Sequence, residues 1–510
     1  MPEKKRPQKS LGFRPSLPDE PEDIYLAGAA RRVDWRRLTF LLLGALAFAA
    51  VYFVPPLPDA VDPAGERFPL TREGKLSLAL FLLAATWWVT EVVPIGVTSI
   101  TIGVIQALFL IRPARTAFTD FMDPSVWFIL GSIVIGMVFT RTGLTKRLAY
   151  KMLVIVGERT SMIYLGVFVL TAVLTHVMAH TAVAATIYPL LMAIYALYDE
   201  TGKTTRFGKG LFIGMAYTAG AGSIITLLGA ARGAVAIGFF KDIVGREVSF
   251  FELTWFMFPV GWLMVFLLWG FFMVLFKPER KTIPGLRERA KVLYKKLGPM
   301  TGREISTLLI VLAAVAIMSL RSFIPALESV NKSAIILSAT VLFFVFKILT
   351  LEDLEEIPWN IILLFGGAMS IGFCLWQTGA ANWLAVMWLG LFETAPWFVF
   401  VMGIAVFVLL MTNFIMNVAA IAISLPVALV LATYLGVAPE VVLYASLVVA
   451  GMPFLLLVGA APNAIAYNSG QFTSGEFFKY GIPASILLLI VVGIFVRFVW
   501  PLMGMPVLLK

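Results

Sequence analysis

The chain has 510 residues, 60% of them hydrophobic and 14% charged, which leaves too little polar surface to cover a soluble globule of that size. Its formal charge of +10 gathers in two basic blocks beside apolar runs, Lys4 to Arg37 and Lys277 to Arg303, so cytoplasmic placement beside a membrane accounts for it without a nucleic-acid partner. One cysteine, Cys374, lies in an apolar run and excludes disulfides and thiolate metal sites.

In chain order, residues 1–37 read as a basic, proline-containing cytoplasmic tail, and 38–75 as a first span and loop. That span is preceded by a long polar stretch and closed by no small-residue cleavage pattern, so it is expected to stay as a membrane span. A first repeat covers 76–276 and opens with spans at about 76–93, 95–112 and 124–143, with Pro94 parting the first two. Residues 162–197 read as a re-entrant hairpin with its polar tip at Ala179-His180-Thr181, a backbone tolerated in a bilayer only where protein buries it or it lines a wet cavity. An apolar stretch from 207 to 240, interrupted by Gly220, Gly222, Gly229 and Gly233, predicts a broken helix whose unwound middle presents bare amides and carbonyls. A span at about 252–276 and a basic cytoplasmic linker, 277–304, follow.

The second repeat, 305–503, takes the same order: spans at about 305–324, 333–350 and 358–378, a hairpin at 396–432 with its tip at Asn413 to Asn417, a broken helix at 439–470, and a last span. The duplication is also written in residues. Gly131-Ser132, Gly136 and Thr142-Gly143 recur about 235 residues later as Gly367-Ala368, Gly372 and Thr378-Gly379. Ala179-His180-Thr181-Ala182 matches Met416-Asn417-Val418-Ala419, each seven residues before a proline, Pro189 and Pro426. Gly229-Ala230-Ala231-Arg232-Gly233-Ala234 matches Gly459-Ala460-Ala461-Pro462-Asn463-Ala464. Five full spans per copy, an odd number, invert the second copy against the first, the plan of a carrier with one central site reached from both sides. The expected fold is an all-α polytopic membrane protein of eleven spans and two re-entrant hairpins, with the N-terminus inside the cytoplasmic membrane.

Three segments carry a family resemblance. Trp87-Trp88-Val89-Thr90-Glu91-Val92-Val93-Pro94, Ile357-Pro358-Trp359-Asn360 through Gly367, and the loop Gly459 to Ala464 resemble signatures of the divalent anion:sodium symporters, which carry dicarboxylates, citrate and sulfate, and the likeness covers roughly 76–503. The resemblance implies a homodimer of elevator type, in which a transport domain carries the substrate past a scaffold. It also implies a Ser-Asn-Thr triplet at each hairpin tip that binds substrate carboxylates and, with carbonyls of the unwound loops, sodium. On that basis the substrate set is Thr181, His180, Arg232, Asn417, Asn463 and Pro462, and the ion set is Asn417, Gly459, Ala460 and Gly229. Here the tips depart from the family: the first keeps only Thr181 and the second only Asn417.

Sodium wants several oxygen ligands, and Ala179, Met416 and Val418 offer no side-chain oxygen. A sodium ion at the first tip would also face Arg232 and, when protonated, His180, a like-charge arrangement that is costly at low dielectric. Arg232 therefore has two readings: a permanent positive charge in place of sodium, with a planar fork suited to a carboxylate or sulfate, or a structural residue that snorkels or pairs with an acid. His180 is a substrate contact and proton-coupling candidate, or a hydrogen-bonded structural histidine; with His176 it makes a two-histidine spacing that lacks the third ligand zinc needs. Met416 and Val418 would wall the site for a larger or more apolar anion than succinate. No nucleotide-binding loop, catalytic triad or cofactor motif is present, so an enzyme is not expected. Three functions stay open: a sodium-independent anion carrier working by exchange, uniport or proton coupling, a sodium-coupled symporter, and a transport-dead receptor or assembly protein on the same fold.

Overall fold

The computed structural model describes residues 35–61, 67–199, 203–392 and 395–509, so most of the expected basic tail, residues 1–34, lies outside the described residues. Helix α1 spans Trp35–Phe53, and a small antiparallel pair, β1 (Ala60–Val61) and β2 (Arg67–Phe68), follows in the first loop. The first repeat then runs α2 (Arg72–Thr90), α3 (Ile95–Leu108), α4 (Ala114–Thr119), α5 (Pro124–Thr142), α6 (Leu144–Val156), the hairpin α7 (Thr160–Thr175) and α8 (His180–Tyr198), the broken helix α9 (Arg206–Ser223) and α10 (Ala231–Val244), and α11 (Phe250–Leu275). The linker contains α12 (Leu286–Lys296). The second repeat runs α13 (Gly302–Leu320), α14 (Pro325–Glu328), α15 (Lys332–Val345), α16 (Leu351–Glu355), α17 (Trp359–Gln377), α18 (Ala380–Phe392), the hairpin α19 (Trp397–Phe414) and α20 (Asn417–Tyr434), the broken helix α21 (Pro439–Ala450) and α22 (Ala461–Tyr467), and α23 (Ser474–Ile494), with a final turn α24 (Trp500–Leu502).

Local chemistry sets many of these ends. Thr71, Asp123 and Ser249 accept from the first-turn amides of α2, α5 and α11, and Thr301–Glu304 and Thr473–Glu476 form capping boxes on α13 and α23. Gly143 closes α5 at φ 86°, a left-handed conformation that glycine adopts without a steric penalty. Three helices of more than ten residues were not expected: α6 and α18, each directly after a long helix, and α12 in the linker; the short α4, α14 and α16 were not expected either. Helix α6 is 13 residues long and carries Lys146, Arg147 and Lys151, and α18 is also 13 residues long, so neither has the length or apolar run of a membrane span by which the elements were read. The strand pair is likewise a small departure from an all-helical chain.

Among the described residues, nine helices are long and apolar enough to cross a membrane, and four shorter apolar helices accompany them. Those nine include the hairpin arms α8, α19 and α20, so they count different objects from the eleven full spans expected. Helix α3 lies along α17, α15 along α5, α9 along α7 and α11, and α10 along α20, so each repeat packs into the other. In lipid, such packing relies on close contact and polar ties rather than on the hydrophobic effect. One tie is Arg112, buried between the repeats, which donates to Asp120 at 2.7 Å, to Gln106 and to the Ser370 carbonyl, while Gln106 donates to Ser370 Oγ at 2.8 Å. Arg147 on α6 pairs with Glu304 at 2.8 Å and donates to the Leu297, Gly298 and Pro299 carbonyls, joining α6 to the linker.

Candidate functional site

Both hairpins turn, and both broken helices unwind, beside one cavity of about 630 Å³. The first tip contributes Ala179, His180 and Thr181, the second Met416, Asn417 and Val418, and the unwound loops contribute Ala230 and Ala231, and Gly459, Ala460 and Ala461. Opposite them, α5 and the start of α17 supply a largely apolar wall that includes Ile129, Ile133, Met137, Ile361 and Phe365, with Ser132 and Thr140 among it. A larger groove of about 1000 Å³ runs along the outer faces of α19 and α23, but its apolar lining and distance from the tips suit lipid rather than a polar solute.

Four helices begin at the cavity, α8, α10, α20 and α22, behind Ala179, Ala230, Met416 and Ala460. None of those preceding side chains caps its helix. First-turn amides at a helix start have no partner within the helix, and the helix dipole adds partial positive charge there. At α8, α10 and α20 no side chain caps the first turn, although the His180 N–H is taken by the Gly229 carbonyl, whereas at the seven-residue α22 Pro462 has no N–H and the Asn463 N–H goes to the Ala460 carbonyl; the ligand that suits the uncapped amides is an anion. In the sequence the signal was the small or apolar residue just before each tip and loop helix, where serine, threonine or aspartate would normally stand.

Thr181 and Asn417 both line the cavity, and among the described residues neither side chain is committed to a protein hydrogen bond. His180 lines it too, but its backbone N–H donates to the Gly229 carbonyl at 3.0 Å and its Nδ1 lies 3.3 Å from the same oxygen. Gly229 is thereby held behind the first tip and does not line the cavity. Glycine is required there: a Cβ would meet the Thr175 carbonyl at 2.5 Å, and at the matching Gly459 one would meet the Thr412 carbonyl at 2.7 Å. Asn463 and Pro462 also lie outside the lining; the Asn463 amide donates to the Pro453 and Leu456 carbonyls at 2.9 and 3.2 Å and so shapes the second loop from behind.

Arg232 departs furthest from its expected place. It is 2% exposed, does not line the cavity, and donates through Nη2 to Ser223 Oγ at 2.8 Å, at the end of α9. It neither snorkels nor pairs with an acid among the described residues.

Several lining groups were not anticipated. Thr186 faces Thr140 across a 3.3 Å hydroxyl contact, and Arg141 and Glu356 pair at the cavity's end, with Asp353 2.8 Å from Arg141. Arg141 ends α5 just before α6, which packs on α12, so this end of the cavity lies on the face that carries the basic linker. Residues 352–356 lie between the spans expected at 333–350 and 358–378, and nothing in their order shows that Arg141 meets them.

Paired hairpins and paired broken helices around a shared cavity define a membrane transporter with a repeated architecture. The family model described as the sodium:sulfate symporter transmembrane region matches residues 37–506, and the chain belongs to that family, whose members are transporters and not enzymes. It is 26% identical over 460 residues to a sodium-dependent dicarboxylate transporter, SdcS, of Staphylococcus saprophyticus, covering 86% of this chain and 88% of that one. A protein of the same name from Staphylococcus aureus is 26% identical over 454 residues, covering 85% and 87%. The fold is similar to that of the YdaH transporter of Alcanivorax borkumensis, with a TM-score of 0.56 at 16% identity over 92% of this chain and 98% of that one. MtrF of Neisseria gonorrhoeae gives 0.55 at 14% identity over 90% and 93%.

Proposed function

We propose that the protein carries a small dicarboxylate or other divalent anion across the cytoplasmic membrane by an elevator movement that does not require sodium. The observation that carries the anion is the convergence of three uncapped helix starts, α8, α10 and α20, on one cavity, with Thr181 and Asn417 as free polar contacts. In this reading the hairpins and broken helices move together against α5 and α17, whose apolar wall offers few polar bonds to break. With the basic linker on the cytoplasmic side and the N-terminus inside, the Arg141 end of the cavity faces the cytoplasm. A homodimer, implied by the family resemblance, belongs to the same reading.

Sodium independence is supported by the tips, since Ala179, Met416 and Val418 supply no hard oxygen. Among the coupling modes, anion exchange is favoured: Arg232 stays charged in the moving body, and a bound dianion balances a crossing that an empty site would make unbalanced. A second reading, a sodium-coupled dicarboxylate symporter, is favoured by the names of the relatives and by Asn417, Gly459 and Ala460 lying together at the second tip.

Proteoliposomes test both. Uptake of radiolabelled succinate or sulfate that is equal in sodium and choline and is accelerated by unlabelled anion inside supports exchange. Uptake that needs sodium supports the symporter, and no uptake of any dianion overturns the carrier reading in favour of a receptor.

A further inference from the structure

Among the described residues three arginines are well buried, and their surroundings differ. Arg112 has Asp120 and Arg147 has Glu304, each within salt-bridge distance. Arg232, the most buried of them, has no carboxylate among the described residues, and its Nη1 has no hydrogen-bond partner there. An uncompensated guanidinium in a bilayer interior is expensive, and one that persists is a functional candidate by default.

Its surroundings show what replaces the acid. Nη2 donates to Ser223 Oγ, whose hydroxyl donates at 2.7 Å to the Gly220 carbonyl, so the fork is tied to the C-terminal end of α9. From the other repeat, Gly451 follows the last residue of α21, and a Cβ there would lie 2.5 Å from Nη2 and 3.0 Å from the central guanidinium carbon. The two helix ends cross almost backbone to backbone, since a Cβ on Gly220 would meet the Gly451 carbonyl at 2.7 Å. Helix C-termini carry partial negative charge and unpaired carbonyls, and the C-terminal ends of broken helices are where carriers hold small cations.

We propose that the Arg232 guanidinium is a built-in cation for this crossing, joining the C-terminal ends of α9 and α21 so that no mobile ion enters at the first unwound loop. The inference deepens the carrier reading above and rests on it. Arg232 is a positioning residue: its charge holds the two broken helices together and leaves the cavity to the anion.

The test uses Arg232→Ala and Arg232→Lys in the full-length protein. In choline, Arg232→Ala should lose transport roughly tenfold or more, the scale of a lost charge-assisted contact, and should melt lower than wild type. Low concentrations of guanidinium or sodium should restore much of both in Arg232→Ala, while neither cation moves the wild type and Arg232→Lys stays close to wild type. An Arg232→Ala protein that transports and melts like wild type overturns the proposal. So does a folded Arg232→Ala whose melting responds to neither cation. Melting is read without any substrate, so a wild type that transports nothing counts against the carrier reading while the cation response of Arg232→Ala still decides this one.

Discussion

In the second half of the site the unwound loop is stitched by neutral amides. Asn413 Oδ1 accepts from the Leu455 and Leu456 N–H groups at 2.8 and 3.2 Å, and Asn463 donates to the Pro453 and Leu456 carbonyls. In the first half the same 237-residue step that relates His180 to Asn417 puts His176 at the place of Asn413, and there the loop is held by different means. Thr226 donates to the His176 carbonyl at 2.7 Å, the His180 N–H reaches Gly229, and the Arg232 fork ties the end of α9. Neutral amides leave room for an added cation, whereas a fixed guanidinium repels one. The two copies thus share a backbone plan and divide the chemistry: charge in one, amides in the other.

The largest expected effect breaks the amide side. Asn413→Leu removes the acceptor of two partly buried N–H groups, which should cost about 2–3 kcal/mol and appear as a large drop in melting temperature; an unchanged melt would show that the loop does not depend on that clamp. Gly229→Ala and Gly459→Ala probe the feature the halves share, a loop pressed on the end of a hairpin arm. Each should cost about 1–3 kcal/mol and lower uptake, and if only one does, the two approaches are not equivalent. Thr181→Val and Asn417→Leu sharpen the comparison at the ligand: each should weaken anion binding about tenfold in titrations, and a sodium effect lost only with Asn417→Leu would place the ion in the second half.

Smaller effects lie away from the tips. Arg141→Gln should slow uptake about threefold, more at low salt than at high, because the residue lies half exposed at the cavity's end and is already paired with Asp353 and Glu356. Outside the membrane, Glu279 is partly desolvated, which alone would raise its pKa, but the Arg206 and Phe207 N–H groups and the Tyr198 hydroxyl outweigh this and hold it below the ordinary glutamate value. A lowered pKa gives stability that is present above the ordinary glutamate value and lost as pH falls from there through the lowered folded-state value, so Glu279→Gln should flatten the acid side of the melting profile.

Much of this architecture was legible because it is encoded in periodicity and in spaced repeats. The order of spans, the hairpins and the two unwound loops followed from apolar run length, glycine position and the paired motifs. So did the cavity's contributors at the tips, because a polar residue deep in an apolar hairpin has few other uses. Side-chain direction was not legible. Arg232, Asn463 and Gly229 lie on the expected loops but face away from the cavity, a choice made by tertiary contacts with Ser223, Pro453 and His180. Arg141 and Glu356 are 215 residues apart, and no local pattern announces their meeting.

The most direct test of the account is the melting temperature of the purified protein against a panel of dicarboxylates, citrate, sulfate and sulfonates, each in sodium and in choline at matched ionic strength. At least one dianion should stabilise the protein equally in both salts. Stabilisation that appears only in sodium, or with no anion at all, would contradict it.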